Sequence, residues 1–424
     1  MLEKLFDFIK SSPTAYHTVK TCIERLTKEG YTRIFENDSP ELKAGGKYYV
    51  VRGSTSIIAF RIPEVKKGFM IVSSHSDSPS FRVKMNGAKG GAYSRIDVER
   101  YGGMILYSWL DRPLSVAGRI MVDTEYGMRE ELVNVERDIA VIPSVAIHLN
   151  RGVNDGYKFN PAVDLLPLAS SDKNRSVVTA VAEAAGVSES EILSHDLFLY
   201  NREEPKTFGL DGEFVLSPRL DDLECVYSSL EGFLSAVDTD SVPVFAVFDN
   251  EEVGSETKQG AASTFLDYVL RMIARDDYVA MLNNSFMVSA DNAHALHPNH
   301  PELSDSENAP VVNGGVVIKY NASQRYATDG LSAALFAKIC NRAGISVQRY
   351  YNRADMPGGS TLGSISNTKV SVPTVDIGFA QLAMHSASEC AGCKDLNDMI
   401  NALSEFYSTT VERQGEDITL VFKK

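Results

Sequence analysis

Val242-Pro-Val-Phe-Ala-Val-Phe248 runs straight into Asp249-Asn-Glu-Glu252 and then Val253-Gly254. Seven nearly unbroken apolar residues suit a strand buried on both faces, as in a parallel sheet. The pattern recurs. Phe69-Met-Ile-Val72 stops in Ser-Ser-His75-Ser-Asp77, and Phe286-Met-Val288 stops in Ser-Ala-Asp291. Pro373 to Phe379 leads, six residues on, to His385. Helical patterns lie between these runs, for example Ala261, Phe265, Tyr268 and Met272. The alternation predicts an α/β fold with a mixed, mainly parallel sheet and flanking helices. Ligands of open α/β sheets gather beyond the carboxyl ends of the strands, where these polar clusters fall.

Outward from this frame, two regions differ. At the N-terminus, Leu2, Leu5, Phe6 and Ile9 have the i, i+3, i+4, i+7 spacing of a helix. A second helix is expected from near Pro13, with Ser12 as N-cap, Val19, Ile23 and Leu26 as its apolar stripe, and Gly30 as its stop. His17 falls on it as a surface or packing residue. The stretch from about Val83 to Glu204 alternates in a β-like way, as in Arg119-Ile-Met-Val-Asp123 and Glu131-Leu-Val-Asn-Val135, with Glu125-Tyr-Gly127 as a hairpin turn. The expected organisation is a catalytic domain in two segments, 1–83 and 206–424, interrupted by an inserted β-rich domain over 84–205. A length of 424 residues, about 2.8 domains by ordinary size, is thus read as two domains.

The charge balance narrows the function. Forty-two Lys+Arg stand against 56 Asp+Glu, a net charge of −14. Such a chain repels phosphate backbones and anionic lipid surfaces, so neither nucleic acid nor a membrane is expected as partner. No apolar run approaches the roughly 18 residues that span a bilayer. Met1 to Lys20 mixes Glu3, Lys4, Asp7 and Lys10 into its apolar residues, unlike a signal peptide. Five cysteines, an odd number, suit a reducing compartment. The cytoplasm is the expected location.

The strand ends collect hard ligands: His75, Asp77, Asp221, Asp222, Glu251, Glu252, Asp291 and His385. Two dications a few ångströms apart repel, so a pair of them needs a bridging carboxylate. Each also wants a terminal carboxylate and an imidazole. The set meets that count with two groups to spare. Asp77, two residues after His75, can accept the other imidazole N–H. One of Glu251 and Glu252 can hold metal while the other takes a proton from water. Each piece alone is weak, because an H-x-D triplet arises by chance and a Glu-Glu pair is usually solvated surface. Their placement at the ends of buried runs gives them weight together.

Ser74-His-Ser-Asp-Ser-Pro79, Ser217-Pro-Arg-Leu-Asp-Asp222, Asp249-Asn-Glu-Glu-Val-Gly-Ser255, Asp291-Asn-Ala-His-Ala-Leu-His-Pro298 and Met384-His-Ser386 resemble the ordered motifs of the aspartyl aminopeptidases, dinuclear zinc metallopeptidases. Tyr101-Gly-Gly103, Trp109-Leu-Asp-Arg112, Ala146-Ile-His-Leu-Asn-Arg151 and Lys319 to Thr328 match as well, so the resemblance spans nearly the whole chain. It implies a zinc-peptidase-like fold and two zinc ions, a site that cobalt or manganese also tolerates. Asp221 would bridge, His75 and Asp291 would complete one metal, and Glu252 and His385 the other. Glu251 would be the general base, with Asp77 orienting His75. The implied activity is removal of N-terminal Asp or Glu from peptides, with Lys319, helped by Tyr326, receiving the substrate carboxylate. The resemblance further implies dimers through the inserted domain, a tetrahedral dodecamer, and His148 reaching into a neighbouring subunit's site. A dinuclear aminopeptidase of broader specificity and an inactive oligomeric scaffold are the rival readings.

Four other signals carry less. Cys390-Ala-Gly-Cys393 has redox or zinc spacing but no second pair, and is read as two thiols in a loop. His294, His297 and His300 are separated by Pro298 and Pro301, which prevent one helix from aligning them, so they are read as site wall or structure. His195 is expected at the surface, and Pro357-Gly-Gly-Ser-Thr361 as a wall close to substrate.

Overall fold

The strand Val242–Phe248 is buried along its whole length and lies in the middle of a nine-stranded sheet. The computed structural model describes residues 1–38, 40–89, 91–415 and 417–422. Across the sheet the order is Thr32–Arg33, Lys47–Arg52, Ser56–Arg61, Val242–Phe248, Phe69–His75, Phe286–Ala290, Thr374–Gly378, Val316–Tyr320 and Val347–Tyr351. Five of the eight neighbouring pairs are parallel and three antiparallel, the expected mixed sheet.

Each central strand sends alternate side chains to two cores. Met70, Val72, Phe245 and Val247 pack with the helices Leu2–Ser11, Ala15–Lys28, Leu220–Ser235, Gly330–Arg342 and Cys393–Tyr407. Phe69, Ile71, Val244 and Ala246 pack on the opposite face, against Phe265–Ala274, Tyr278–Asn283 and Leu362–Ser366. This explains why the runs are continuous rather than alternating: both faces are dry. Burying one such side chain contributes about 1.5–3 kcal/mol.

A second, antiparallel sheet has the order Val98–Tyr101, Ser80–Val83, Ile192–Asn201, Leu114–Thr124 and Gly127–Asn134. It covers its own core, which includes Phe81, Trp109, Ile120 and Leu197. Its first strand starts at Ser80, ahead of the boundary drawn at 84 from composition. The hairpin turn falls at Glu125-Tyr126, as read.

Three local expectations need correction. Ser12 ends the first helix, and Thr14 starts the second, with Oγ1 2.8 Å from Nδ1 of the buried His17. His195 is not at the surface: it shares parity with Leu197 and Leu199 on the inward face of its strand and is 4% exposed. Cys390 lies in the strand Glu389–Gly392 and Cys393 opens the following helix, so the pair is not in a loop. His294 falls on the short strand Ala293–His294, and His300 pairs with Glu302 at 3.0 Å on the surface.

Candidate metal centre

His75 ends the strand Phe69–His75, Asp291 directly follows Phe286–Ala290, and Glu251 and Glu252 form the turn after Val242–Phe248. Parallel neighbours therefore deliver these groups to one edge. Asp221 and Asp222 arrive at the start of the helix Leu220–Ser235, joined by a cis peptide. His385 arrives from the turn after the short strand Ala380–Gln381, which follows Thr374–Gly378. Gly378 permits the closeness, since a Cβ there would meet the Asp291 carbonyl at 2.0 Å.

Two ligand sets result, His75 with Asp221, Asp222 and Asp291, and Asp221 with Glu252 and His385. Asp221 belongs to both. Its Oδ1 lies 3.3 Å from His75 Nε2 and its Oδ2 lies 3.4 Å from His385 Nε2. His385 Nε2 is also 3.4 Å from Glu252 Oε2. A third grouping joins His75 to Glu251 and Glu252.

The donors fit a metal. His75 Nδ1–H donates to the Asp77 carbonyl at 3.1 Å and His385 Nδ1–H to the Gly103 carbonyl. That tautomer, assigned from the hydrogen bonds, leaves both Nε2 lone pairs aimed at carboxylates. Lone pair facing lone pair is repulsive unless a metal ion or a proton sits between. Asp221 Oδ1, Asp222 Oδ1 and Glu252 Oε1 are buried with no hydrogen-bond partner, which is costly in water-free surroundings. Electrostatics agree. Burial opposes charge on His385, yet Asp221 and Glu252 push its pKa up to about 10. Burial and neighbouring carboxylates push Glu251 up to about 8. The cluster demands positive charge.

Asp77 has a larger part than the spacing indicated. Its carboxylate is 3.3 Å from His75 Nδ1 and accepts the backbone N–H groups of Glu251 and Glu252, both at 3.2 Å. Tyr101 O–H donates to it at 2.7 Å, and Asn250 Nδ2 donates to Tyr101 at 2.8 Å. Asn250 adopts φ 62°, a left-handed conformation that asparagine tolerates. Gly102, with φ 77°, lets the backbone touch Glu252, where a Cβ would come within 3.1 Å of the Glu252 Cβ. That accounts for the Tyr101-Gly-Gly103 motif.

Sequence reasoning missed Glu389. It is 2% exposed. One oxygen accepts the N–H of Asp221 at 3.0 Å and the other that of His385 at 2.7 Å. One carboxylate thus holds the backbone of the shared ligand and of a histidine 164 positions later (385 − 221). Burial pushes Glu389 up to about 8. The available signal was a carboxylate four residues after His385 beside an apolar strand.

Lys319 is neither solvated nor free. It is 1% exposed and donates to the carbonyls of Asp291 at 2.7 Å and Asn292 at 3.2 Å. Its Nζ lies 3.7 Å from Asp291 Oδ2 and 5.1 Å from the centre of the Tyr326 ring. Tyr326 is buried beside Tyr350. His148 is not brought to the site; it sits in the exposed segment 143–149, flanked by Ile147 and Leu149, 47% and 83% exposed. His294 and His297 line a neighbouring hollow with Tyr350 and Pro357. No helix among the described residues is long and apolar enough to cross a membrane.

Comparison with known proteins agrees with this arrangement. The family model described as Aminopeptidase I zinc metalloprotease (M18) matches residues 8–407. A probable M18 family aminopeptidase 2 from Clostridium acetobutylicum is 41% identical, covering 96% of this chain and 98% of its own. A cryo-EM structure of the Ape4 and Nbr1 complex superimposes with a TM-score of 0.92 at 33% identity, covering 96% of this chain and 85% of that one. The S. cerevisiae mApe1 dodecamer gives 0.85 at 27% identity, covering 96% and 95%.

Proposed function

This chain belongs to the M18 family of zinc aminopeptidases, and from that premise we propose that it removes N-terminal Asp and Glu from peptides at a two-zinc site. The observation that carries the reading is the split use of Asp221, with one oxygen towards His75 and the other towards His385. His75, Asp221 and Asp291 would hold one ion; Asp221, Glu252 and His385 the other. Cobalt or manganese suits the same donors. When bound, zinc supplies Lewis acidity to water and to the scissile carbonyl.

The chain's own groups do the rest. Glu251 takes the proton of the attacking water and returns it to the leaving amine nitrogen. Asp77 keeps Glu251 and Glu252 in register through their backbone N–H groups. Glu389 keeps Asp221 and His385 in register in the same way. Lys319, under Tyr326, is the cation for an acidic substrate side chain, using the one N–H not spent on backbone carbonyls. A second reading, broader specificity, draws support from those same two bonds, because Lys319 already serves Asp291 and Asn292.

The second sheet, spanning roughly the 84–205 insertion, is proposed as the oligomerisation domain, with His148 entering a neighbour's site. Ile147 and Leu149, left in solvent on a single chain, suit burial against another copy. A dodecamer, as in the S. cerevisiae relative, and a cytoplasmic location complete the proposal.

The test is kinetic: aspartyl, glutamyl, leucyl and lysyl substrates, with defined metals, on wild type and Lys319→Met. Acidic substrates should lead for wild type, and the variant should lose them far more than neutral ones. A best substrate with a neutral N-terminal residue, or equal losses on both classes, refutes the acidic specificity.

A further inference from the structure

Pro373-Thr-Val-Asp-Ile-Gly-Phe379 carries one acidic side chain, Asp376, in the middle of an apolar run. The strand Thr374–Gly378 lies between Phe286–Ala290 and Val316–Tyr320, and Asp376 is fully buried in it. A carboxyl group in such a place is costly unless its oxygens are hydrogen-bonded. Among the described residues, its side-chain bonds run to two loops. Oδ2 accepts the Ala327 N–H at 2.6 Å, and Oδ1 accepts from the Thr361 hydroxyl. The Asp376 backbone N–H adds a third tie, donating to Thr328 Oγ1 at 2.8 Å.

The first loop leaves the strand Val316–Tyr320 directly after Lys319. It is exposed over 322–325 and returns to the interior at Tyr326 and Thr328, on either side of Ala327. Its re-entry is therefore fixed at the residue that Asp376 holds. The second loop follows Val347–Tyr351 and ends in Pro357-Gly-Gly-Ser-Thr361. Thr361 stands at the N-cap of the helix Leu362–Ser366, where a threonine hydroxyl normally accepts a backbone N–H. Here it makes no cap bond and donates to Asp376 instead. Gly363 allows the helix this close, since a Cβ there would meet Asp376 Oδ1 at 2.8 Å.

The loops are also tied to each other. The Arg325 carbonyl accepts from the Thr361 N–H at 3.4 Å and from Ser364 Oγ at 3.2 Å. Both loops border the same side chains. The Tyr326 ring lies 5.1 Å from Lys319 Nζ and 6.3 Å from the Tyr350 ring, and Tyr350 shares a hollow with Pro357 and Gly359. Two stretches that read as separate signals in the sequence thus meet at one buried carboxyl group.

We propose that Asp376 is a positioning residue for substrate selection: by holding both loops it sets Tyr326 over Lys319, and with it the preference for an acidic side chain. This rests on Lys319 being the receiver of the substrate carboxylate. Small displacements of such a binding group are expensive, because binding and turnover depend on geometry to a fraction of an ångström.

The experiment is kinetics of the zinc-loaded full chain on aspartyl and leucyl chromogenic substrates, with zinc content measured for each variant. Asp376→Ala should lower the aspartyl-to-leucyl ratio of kcat/KM about tenfold or more, chiefly through KM for the aspartyl substrate. Asp376→Asn keeps an acceptor for the Ala327 N–H and offers an NH2 to the Thr361 oxygen, so it should stay within about threefold of wild type. Thr361→Val removes one bond with little change of volume and should lower the ratio about two- to tenfold. If Asp376→Ala does not fold, Thr361→Val decides alone. Zinc content should be unchanged throughout. Equal losses on both substrates, an unchanged ratio, an Asp376→Asn variant as impaired as Asp376→Ala, or zinc lost together with activity each overturns the assignment. Lys319→Met, run alongside, separates the two claims. If wild type has no acidic preference, or Lys319→Met retains it, the Lys319 reading falls and the role of Asp376 falls with it. If Lys319→Met abolishes the preference while Asp376→Ala and Thr361→Val retain it, only the role of Asp376 falls.

Discussion

Two acid-bearing regions of this molecule meet the same electrostatic problem in opposite ways. In the second sheet, the Asp196 side chain is 24% exposed and sits between Arg82 and Arg119, both from strands of that sheet. At the carboxyl edge of the main sheet, Asp77, Asp221, Asp222, Asp291, Glu251 and Glu252 gather with no arginine. Among the described residues their ion-pair partners are His75, His385 and Lys319. One region carries its own counter-charge and is a structural joint. The other leaves its carboxylates short of counter-charge and is the candidate metal centre. An unbalanced cluster of buried carboxylates is therefore a better pointer to function than burial or charge alone.

The contrast can be broken or sharpened at four places. Glu251→Gln strikes hardest: turnover should fall by about 10²–10⁴-fold, the worth of a general base, with zinc content unchanged. Near-normal turnover would remove Glu251 from its role. Next comes the seam between the regions, where His17 sits one residue from Tyr16, whose ring lies 4.7 Å under Arg119. Burial, with Lys20 and Arg219 nearby, lowers His17 to about 4. The unfolded chain binds a proton near pH 6.5 and the folded chain does not. Stability should thus be intact above about pH 6.5 and decline as the pH falls towards 4, by about 3 kcal/mol in total. Denaturant titrations of wild type and His17→Gln check this; parallel pH profiles for the two would exclude His17 as the source.

Smaller effects follow. Glu389→Gln keeps one acceptor oxygen but puts an NH2 where the other stood, so only one of the Asp221 and His385 N–H groups stays held, and metal affinity should drop roughly 10–100-fold. Competition with a chelating dye measures it, and unchanged affinity would mean that Glu389 only packs. Asp196→Asn leaves two arginines without their anion at a partly exposed position, costing about 1–2 kcal/mol of stability with zinc content unaltered. A loss of zinc in that variant would mean that the two regions are coupled.

Much of the site was legible before any coordinates. His75, Asp291 and the Glu251-Glu252 pair stand where apolar runs stop, and a run buried on both faces announces itself in sequence because neither face takes polar residues. Glu389 was not legible, since a carboxylate beside a strand reads as surface until its two oxygens are seen on the Asp221 and His385 backbones. His195 misled because polarity outweighed parity: it falls in step with Leu197 and Leu199, and the strand turned it inward. Ser12 failed as a cap because helix starts depend on local dihedrals, and Thr14 holds the extended conformation that precedes the second helix.

By itself the sequence determined the α/β frame, the strand-end chemistry and the family, because hydrophobic periodicity and short motifs are local. Only the tertiary structure decided that Asp221 turns one oxygen to each histidine, that Lys319 is bound to the backbone of Asp291, and that Arg219 donates to the Ile9 carbonyl. Those facts join residues as many as 210 positions apart, as between Arg219 and Ile9. Hydrogen bonds act over a few ångströms, so their partners exist only once packing has brought distant strands together.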